Sequence, residues 1–166
     1  MGGFYVGIAL RLSLEDVKRV LREMFPATTV HESAEFRATF RGQYSGIVFD
    51  MYTNESEFPV YLDFATFPGP QDEDVLQPVA IELARRISVA LGCRTICEGS
   101  LYGDNPHLPC YGVMWDVNRA WLVDEGDFAT YDEGGGPVEL IRPLEIPPLM
   151  LGPSGDIVSG ESPDVG

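Results

Sequence analysis

Two stretches in the middle of the chain, YSGIVFDMY at residues 44–52 and FPVYLDFAT at 58–66, have little freedom in what they can become. Apolar residues recur there at every second position, the period of a strand with one buried face. The stretch before them, AEFRATFR at 34–41, alternates in the same way. A two-residue turn at Gly42-Gln43 pairs Arg41 with Tyr44, because glycine at the first central position suits a type II′ turn. A turn centred on Glu55-Ser56 pairs Thr53 with Phe58. These registers set Glu35 opposite Asp50, Phe49 against Leu62 and Ile47 against Phe64. One face then holds Phe36, Ala38, Phe40, Ile47, Phe49, Met51, Val60, Leu62 and Phe64, every one apolar. The other holds Glu35, Arg37, Val48, Asp50, Tyr52, Tyr61, Asp63 and Ala65. A slip of one residue would exchange the faces, so the pattern predicts a three-strand antiparallel meander.

Around it the pattern predicts two helices and further strands. GFYVGIALRL alternates Phe4, Val6, Ile8, Leu10 and Leu12 on one side, a half-buried strand. Ser13 with Asp16 forms a capping box for a helix that Pro26 stops. DEDVLQPVAIELARRISVALGC carries a wide apolar stripe, with Pro78 expected in or near the first turn and Gly92 at the C-terminal cap. CRTICE follows as a strand. YGVMWDV and AWLVDE make a hairpin turning near Asn118-Arg119. The order βαβββαβββ implies an α+β domain of two layers, with two helices against a mostly antiparallel sheet. Its expected extent is residues 1–133. Residues 134–151 are rich in Gly and Pro but apolar enough to lie along the body, and 152–166 have the composition of a disordered acidic tail.

Charge narrows the partners. The chain carries 11 Lys+Arg against 26 Asp+Glu, a formal net charge of −15. Residues 1–97 hold 13 acids and 9 bases, a net of −4; residues 98–166 hold 13 acids and only Arg119 and Arg142, a net of −11. Nucleic acid and anionic membranes are poor partners for such a body, and a basic protein is a good one. No apolar run is long enough to span a bilayer, and the start lacks the basic segment of a secretory signal. The expected location is therefore the cytoplasm, where three cysteines imply no disulfide framework.

The loop LYGDNPHLPCYG, residues 101–112, is the densest cluster of reactive side chains. With Cys93 and Cys97, its His107 and Cys110 spell C-x3-C…H-x2-C, the letters of a zinc site. A strand over CRTIC defeats that pattern. It would separate Cys93 and Cys97 by roughly 13 Å, whereas two thiolates on one zinc lie about 4 Å apart. Cys110 with His107 could form a thiolate–imidazole pair, but prolines flank His107 and no oxyanion hole is evident. Connector punctuation is the simpler reading, and no metal or cofactor is expected. On the meander's polar face Glu35, Asp50 and Asp63 stand close enough for acid–base or cation chemistry. The same face is open to a solvated role or to docking, because Tyr52 and Tyr61 sit among the acids. Glu35, Asp50, Tyr52, Tyr61 and Asp63 are thus the candidate partner-binding residues, and no catalytic residue is assigned.

Residues 61–99, YLDFATFPGPQDEDVLQPVAIELARRISVALGCRTICEG, followed by RAWLVDEGDFATY, resemble the helix–strand–loop–strand core of small acidic immunity proteins of bacterial polymorphic toxin systems. The likeness covers about a third of the chain and rests on layout. It implies a cytoplasmic, non-catalytic protein that binds and blocks one cognate toxin domain. From residue 13 onward the layout is also similar to type III secretion chaperones, which are acidic homodimers. The first strand and the Pro/Gly-rich tail depart from that pattern. An enzyme using the Asp50/Asp63 face or His107/Cys110 is the reading from a different class.

Overall fold

A computed structural model of the chain describes residues 3–39, 46–69, 72–105, 110–125 and 137–158. Eight strands form one sheet: β1 (Phe4–Ile8), β2 (Val30–Glu32), β3 (Ile47–Thr53), β4 (Val60–Thr66), β5 (Arg94–Glu98), β6 (Tyr111–Asp116), β7 (Arg119–Asp124) and β8 (Glu139–Leu144). Their spatial order is β2-β3-β4-β1-β5-β6-β7-β8, with every pair antiparallel except β2 with β3. Three helices complete the α+β fold: α1 (Leu14–Met24), α2 (Ser33–Thr39) and α3 (Glu73–Leu91).

The caps fall where side-chain chemistry puts them. Ser13 Oγ accepts the Asp16 amide of α1 at 3.1 Å, and Asp16 returns a bond to the Ser13 amide. Gly92 ends α3 at φ 63, a conformation costly for any residue with a Cβ. Pro78 lies near the first turn of α3, as its sixth residue. The β6–β7 hairpin turns through Val117-Asn118, one residue earlier than expected, and places the β-branched Val117 at a strained φ of 58.

The expected third strand of the meander does not exist. Residues 33–39 are helix α2, and Val30–Glu32 form the edge strand instead. The cause is partly topological. A parallel pair such as β2 with β3 needs a crossover, and α2 lies in it. It is also chemical: Glu32 Oε2 accepts the Ala34 and Glu35 amides at 3.1 and 3.2 Å, capping the helix start. The proposed turn at Gly42-Gln43 lies outside the described residues, as do Phe40 and the side chains of Arg37 and Ala38.

The β3–β4 hairpin is present, with a register two residues from the one expected. Phe49 faces Phe64, Met51 faces Leu62 and Thr53 faces Val60. Phe58 leaves the ladder to be buried elsewhere, so the loop is longer than a tight turn. From Phe49 to Thr53 the shift is even, so those side chains keep their faces; a β-bulge between Val48 and Phe49 interrupts the register before them. Phe49, Leu62 and Phe64 are fully buried with Val6, Ile8, Val17, Leu21, Leu83 and Ile87 between the sheet and the helices. Each such side chain contributes about 1.5–3 kcal/mol by leaving water.

The C-terminal segment, expected to lie along the body, contributes an eighth strand, β8, beside β7. Leu144, Ile146, Leu149, Leu151 and Ile157 pack against the main core, and Leu151 bridges Ile157. Arg86 holds Leu151 O at 3.0 Å, and the Ala27 amide holds Pro153 O at 2.9 Å. Residues 152–158 of the expected tail are therefore tied to the body; 159–166 lie outside the described residues. Among the described residues, no helix is long and apolar enough to cross a membrane.

Candidate functional site

Helices α1 and α3 pack on one face of the sheet, and at the β2 edge of the other, outer face Phe36 of α2 meets His31. Alternation sends Asp50 and Tyr52 of β3, Tyr61 and Asp63 of β4, Tyr5 of β1 and Glu98 of β5 to this outer face. Asp50 stands directly opposite Asp63, and Tyr52 opposite Tyr61. Tyr5 stands opposite Asp63. The rings run across three strands: Tyr52 and Tyr61 centroids are 6.3 Å apart, and Tyr61 and Tyr5 stack at 5.0 Å with planes 13° apart. Tyr52 is 43% exposed whereas Tyr61 is 8% exposed, so Tyr52 is the accessible end of the row.

Glu35 is not on this face. It sits on α2, in the helical layer, where Lys18 of α1 holds its carboxylate at 2.7 Å. Lys18 is itself nearly buried, and that contact holds the Glu35 carboxyl below its usual range. The expected Glu35–Asp50 pairing fails because it required residues 34–41 to be a strand.

A second apolar cluster occupies the outer face of β5, β6 and β7. Phe58, Ile96, Met114 and Val123 are buried there, with Trp121 and Val138 at its edge. Gly7 makes this possible: a Cβ at Gly7 would come within 2.7 Å of Ile96 and 3.3 Å of Phe58. The Arg94 guanidinium lies 5.6 Å from the centre of the Phe58 ring and 3.6 Å from Glu57.

Between the tyrosine row and this cluster lies a buried pair that pattern reading did not single out. Tyr5 Oη donates to both carboxyl oxygens of Glu125, at 3.1 and 3.0 Å. Glu125 follows the end of β7, where its amide donates to Cys110 O at 2.7 Å. Its side chain passes over Gly112, where an added Cβ would lie 2.9 Å from its carboxyl carbon. Burial pushes the Glu125 carboxyl up to about 8, with the charges of Glu98 and Asp124 adding and the Tyr5 hydrogen bond opposing. Burial and the Glu125 charge likewise raise the Tyr5 phenol. Asp63 is raised too, first by burial and then by the like charge of Asp50. The glycine inside a strand was the available signal, since it marks a close approach.

The 101–112 loop is organised around a phenol. Tyr111, buried at the start of β6, donates to Asp104 at 3.3 Å and accepts the Asn105 amide at 3.2 Å. Cys110 is exposed, and His107 lies outside the described residues. The expected strand is present as β5, with Cys93 just before its start and Cys97 one residue from its end. Burial raises both of their thiols, away from the thiolate that ligates or attacks. Among the described residues, no three His, Cys, Asp or Glu side chains converge on a point where a metal ion could sit.

The outer face thus presents carboxyls and an aromatic edge, with no salt bridge to Asp50, Asp63, Glu98 or Glu125 among the described residues. No protein-family model matches the chain, and neither the curated proteins nor the solved structures contain a match for it.

Proposed function

We propose that the chain is a non-catalytic, cytoplasmic protein-binding module, an immunity protein that occupies the basic surface of a cognate toxin domain with the outer face of its sheet. The observation that carries this reading is the exposed Tyr52 beside the Asp50–Asp63 pair, two acids that no salt bridge reaches among the described residues. A toxin acting on nucleic acid needs a basic surface, and an acidic face is its electrostatic complement. Complementary charge raises the association rate, whereas a desolvated aromatic slows dissociation. Tyr61 is too buried to be the anchor, so that part falls to Tyr52.

The test begins with the neighbouring genes, where this reading expects a toxin domain, and goes on to its binding kinetics; no toxin domain encoded beside this chain would remove the proposal. Asp50→Asn with Asp63→Asn should lower the on-rate several-fold and flatten its salt dependence. Tyr52→Ala should leave the on-rate alone and raise the off-rate about tenfold or more, the effect of an aromatic hot spot. Wild-type rates in both folded variants, or no protection of cells expressing the toxin domain, would remove the proposal.

A further inference from the structure

We infer that the cavity between the start of β1, the first turns of α3 and the end of β5 is a receptor for one cationic side chain, an arginine or lysine. This rests on the proposed function in one respect: the basic partner supplies that side chain. The cavity holds about 270 Å³. Sites for drug-sized ligands hold roughly 300–1,000 Å³, so this one is sized for a single side chain.

Its walls divide by chemistry. Phe4, Leu76 and Ala80 are apolar, while Tyr5, Gln77 and Glu98 carry the polar atoms. No cation lines it. Glu98 Oε1 accepts the Ser100 amide at 2.8 Å, and Gln77 Nε2 donates to Ser100 Oγ at 3.4 Å. Those two bonds steer the side chains and leave Glu98 Oε2 and Gln77 Oε1 buried without a partner. Both acceptors belong to residues that line the cavity, one from α3 and one from β5, and an orphaned buried acceptor is costly unless a donor reaches it. Both atoms are covered as they stand, and a turn about their broad terminal torsions, which for Glu98 exchanges the oxygen that holds Ser100, brings them to an incoming donor. A carboxylate and an amide oxygen above an apolar floor match a guanidinium or ammonium on a methylene stem. An anion would meet the Glu98 carboxylate, and the side-chain donors of the lining are engaged, the Tyr5 phenol with Glu125 and the Gln77 amide with Ser100.

The site adds something distinct from the Asp50–Asp63 pair. Surface acids attract a basic body at long range, whereas a pocket takes one side chain and fixes the register of the complex. The Tyr5–Glu125 pair joins the two, because Tyr5 lines the cavity and also stacks on Tyr61.

The probe is n-butylguanidinium, titrated into the isotope-labelled full chain while backbone amide resonances are followed. Saturable shifts centred on Gly3, Leu76, Ala80 and Glu98, with a dissociation constant of about a millimolar, are the expected result for so small a ligand. Glu98→Gln should weaken the probe about tenfold by removing the charge-assisted bond, and Gln77→Leu should weaken it less. Asp50→Asn, whose carboxylate is not part of the cavity lining, should weaken it less than Glu98→Gln does. Shifts that never saturate, shifts centred on Asp50 and Asp63, or equal binding by Glu98→Gln would each overturn the inference. The cognate domain separates this from the broader reading. If the domain binds and Glu98→Gln leaves its affinity unchanged, the pocket inference falls alone. If the probe saturates as expected and the domain does not bind, the pocket stands and the proposed function falls.

Discussion

The two faces of this sheet are built by the same alternation and do opposite things with it. On the inner face Phe49, Leu62 and Phe64 are sealed beneath helices. On the outer face the same strands hold Asp50, Tyr61 and Asp63, and a buried apolar cluster lies over β5 to β7. Most of the burial that stabilises the fold belongs to the first face, and the proposed recognition uses the second.

The largest effect should come from breaking the inner face. Leu62 is fully buried and borders a small gap shared with Ile8, Val17, Leu21 and Ile87. Leu62→Ala should cost about 3–4 kcal/mol in urea unfolding, the usual sum of lost transfer energy and a residual cavity. Tyr52→Ala, one residue along the opposite strand and on the other face, should cost less than about 1 kcal/mol. Similar losses from both would show that the outer face carries structural weight and would collapse the contrast.

The second effect is a dependence on pH. The native Glu125 carboxyl sits near 8, above its ordinary 4.5. Between those values the folded chain keeps a proton that the unfolded chain has released, so stability falls as pH rises from about 4.5 to about 8 and then levels. Glu125→Gln keeps an acceptor for Tyr5 and has no proton to lose. The variant should match wild type near pH 4.5 and exceed it by about 2 kcal/mol at pH 9, a figure reduced from the full shift because the site is not sealed. Identical pH slopes for the two proteins would mean that Glu125 is solvated in the native state.

Why one face was legible and the other only in part follows from range. Alternation is local, so it identified which residues of β3 and β4 face inward even though the register was two residues off. It could not distinguish strand from helix at residues 33–39. Phe36 is buried either way, and the deciding contacts are a Glu32 cap and a Lys18–Glu35 ion pair that spans 17 residues. The Tyr5–Glu125 pair spans 120 residues and depends on strands β5 and β6 lying between its partners. No window along the chain contains that information. Asp50, Tyr52 and Asp63 could be placed on one face because their neighbours in sequence are also their neighbours in space.

The smallest effect tests whether the acids of the outer face sense one another. Asp63 is raised mainly by burial and secondarily by Asp50 across the strand. Asp50→Asn removes the second cause and leaves the first, so the Asp63 titration should move down yet stay above the ordinary carboxylate value. The direction matters for stability. With Asp50 present, the folded chain holds its Asp63 proton to higher pH than the unfolded chain, so ionising Asp63 works against folding at neutral pH. Relieving the repulsion should therefore stabilise the variant at pH 7 by about 0.2–0.5 kcal/mol, discounted for solvent screening at a site this open. The gain should vanish well below pH 4, where neither state is ionised, and should shrink in high salt. Side-chain carboxyl NMR read across pH decides the matter. An Asp63 titration unmoved by Asp50→Asn would mean the two carboxylates turn away from each other, and the acidic face would then offer a partner separate charges in place of a pair.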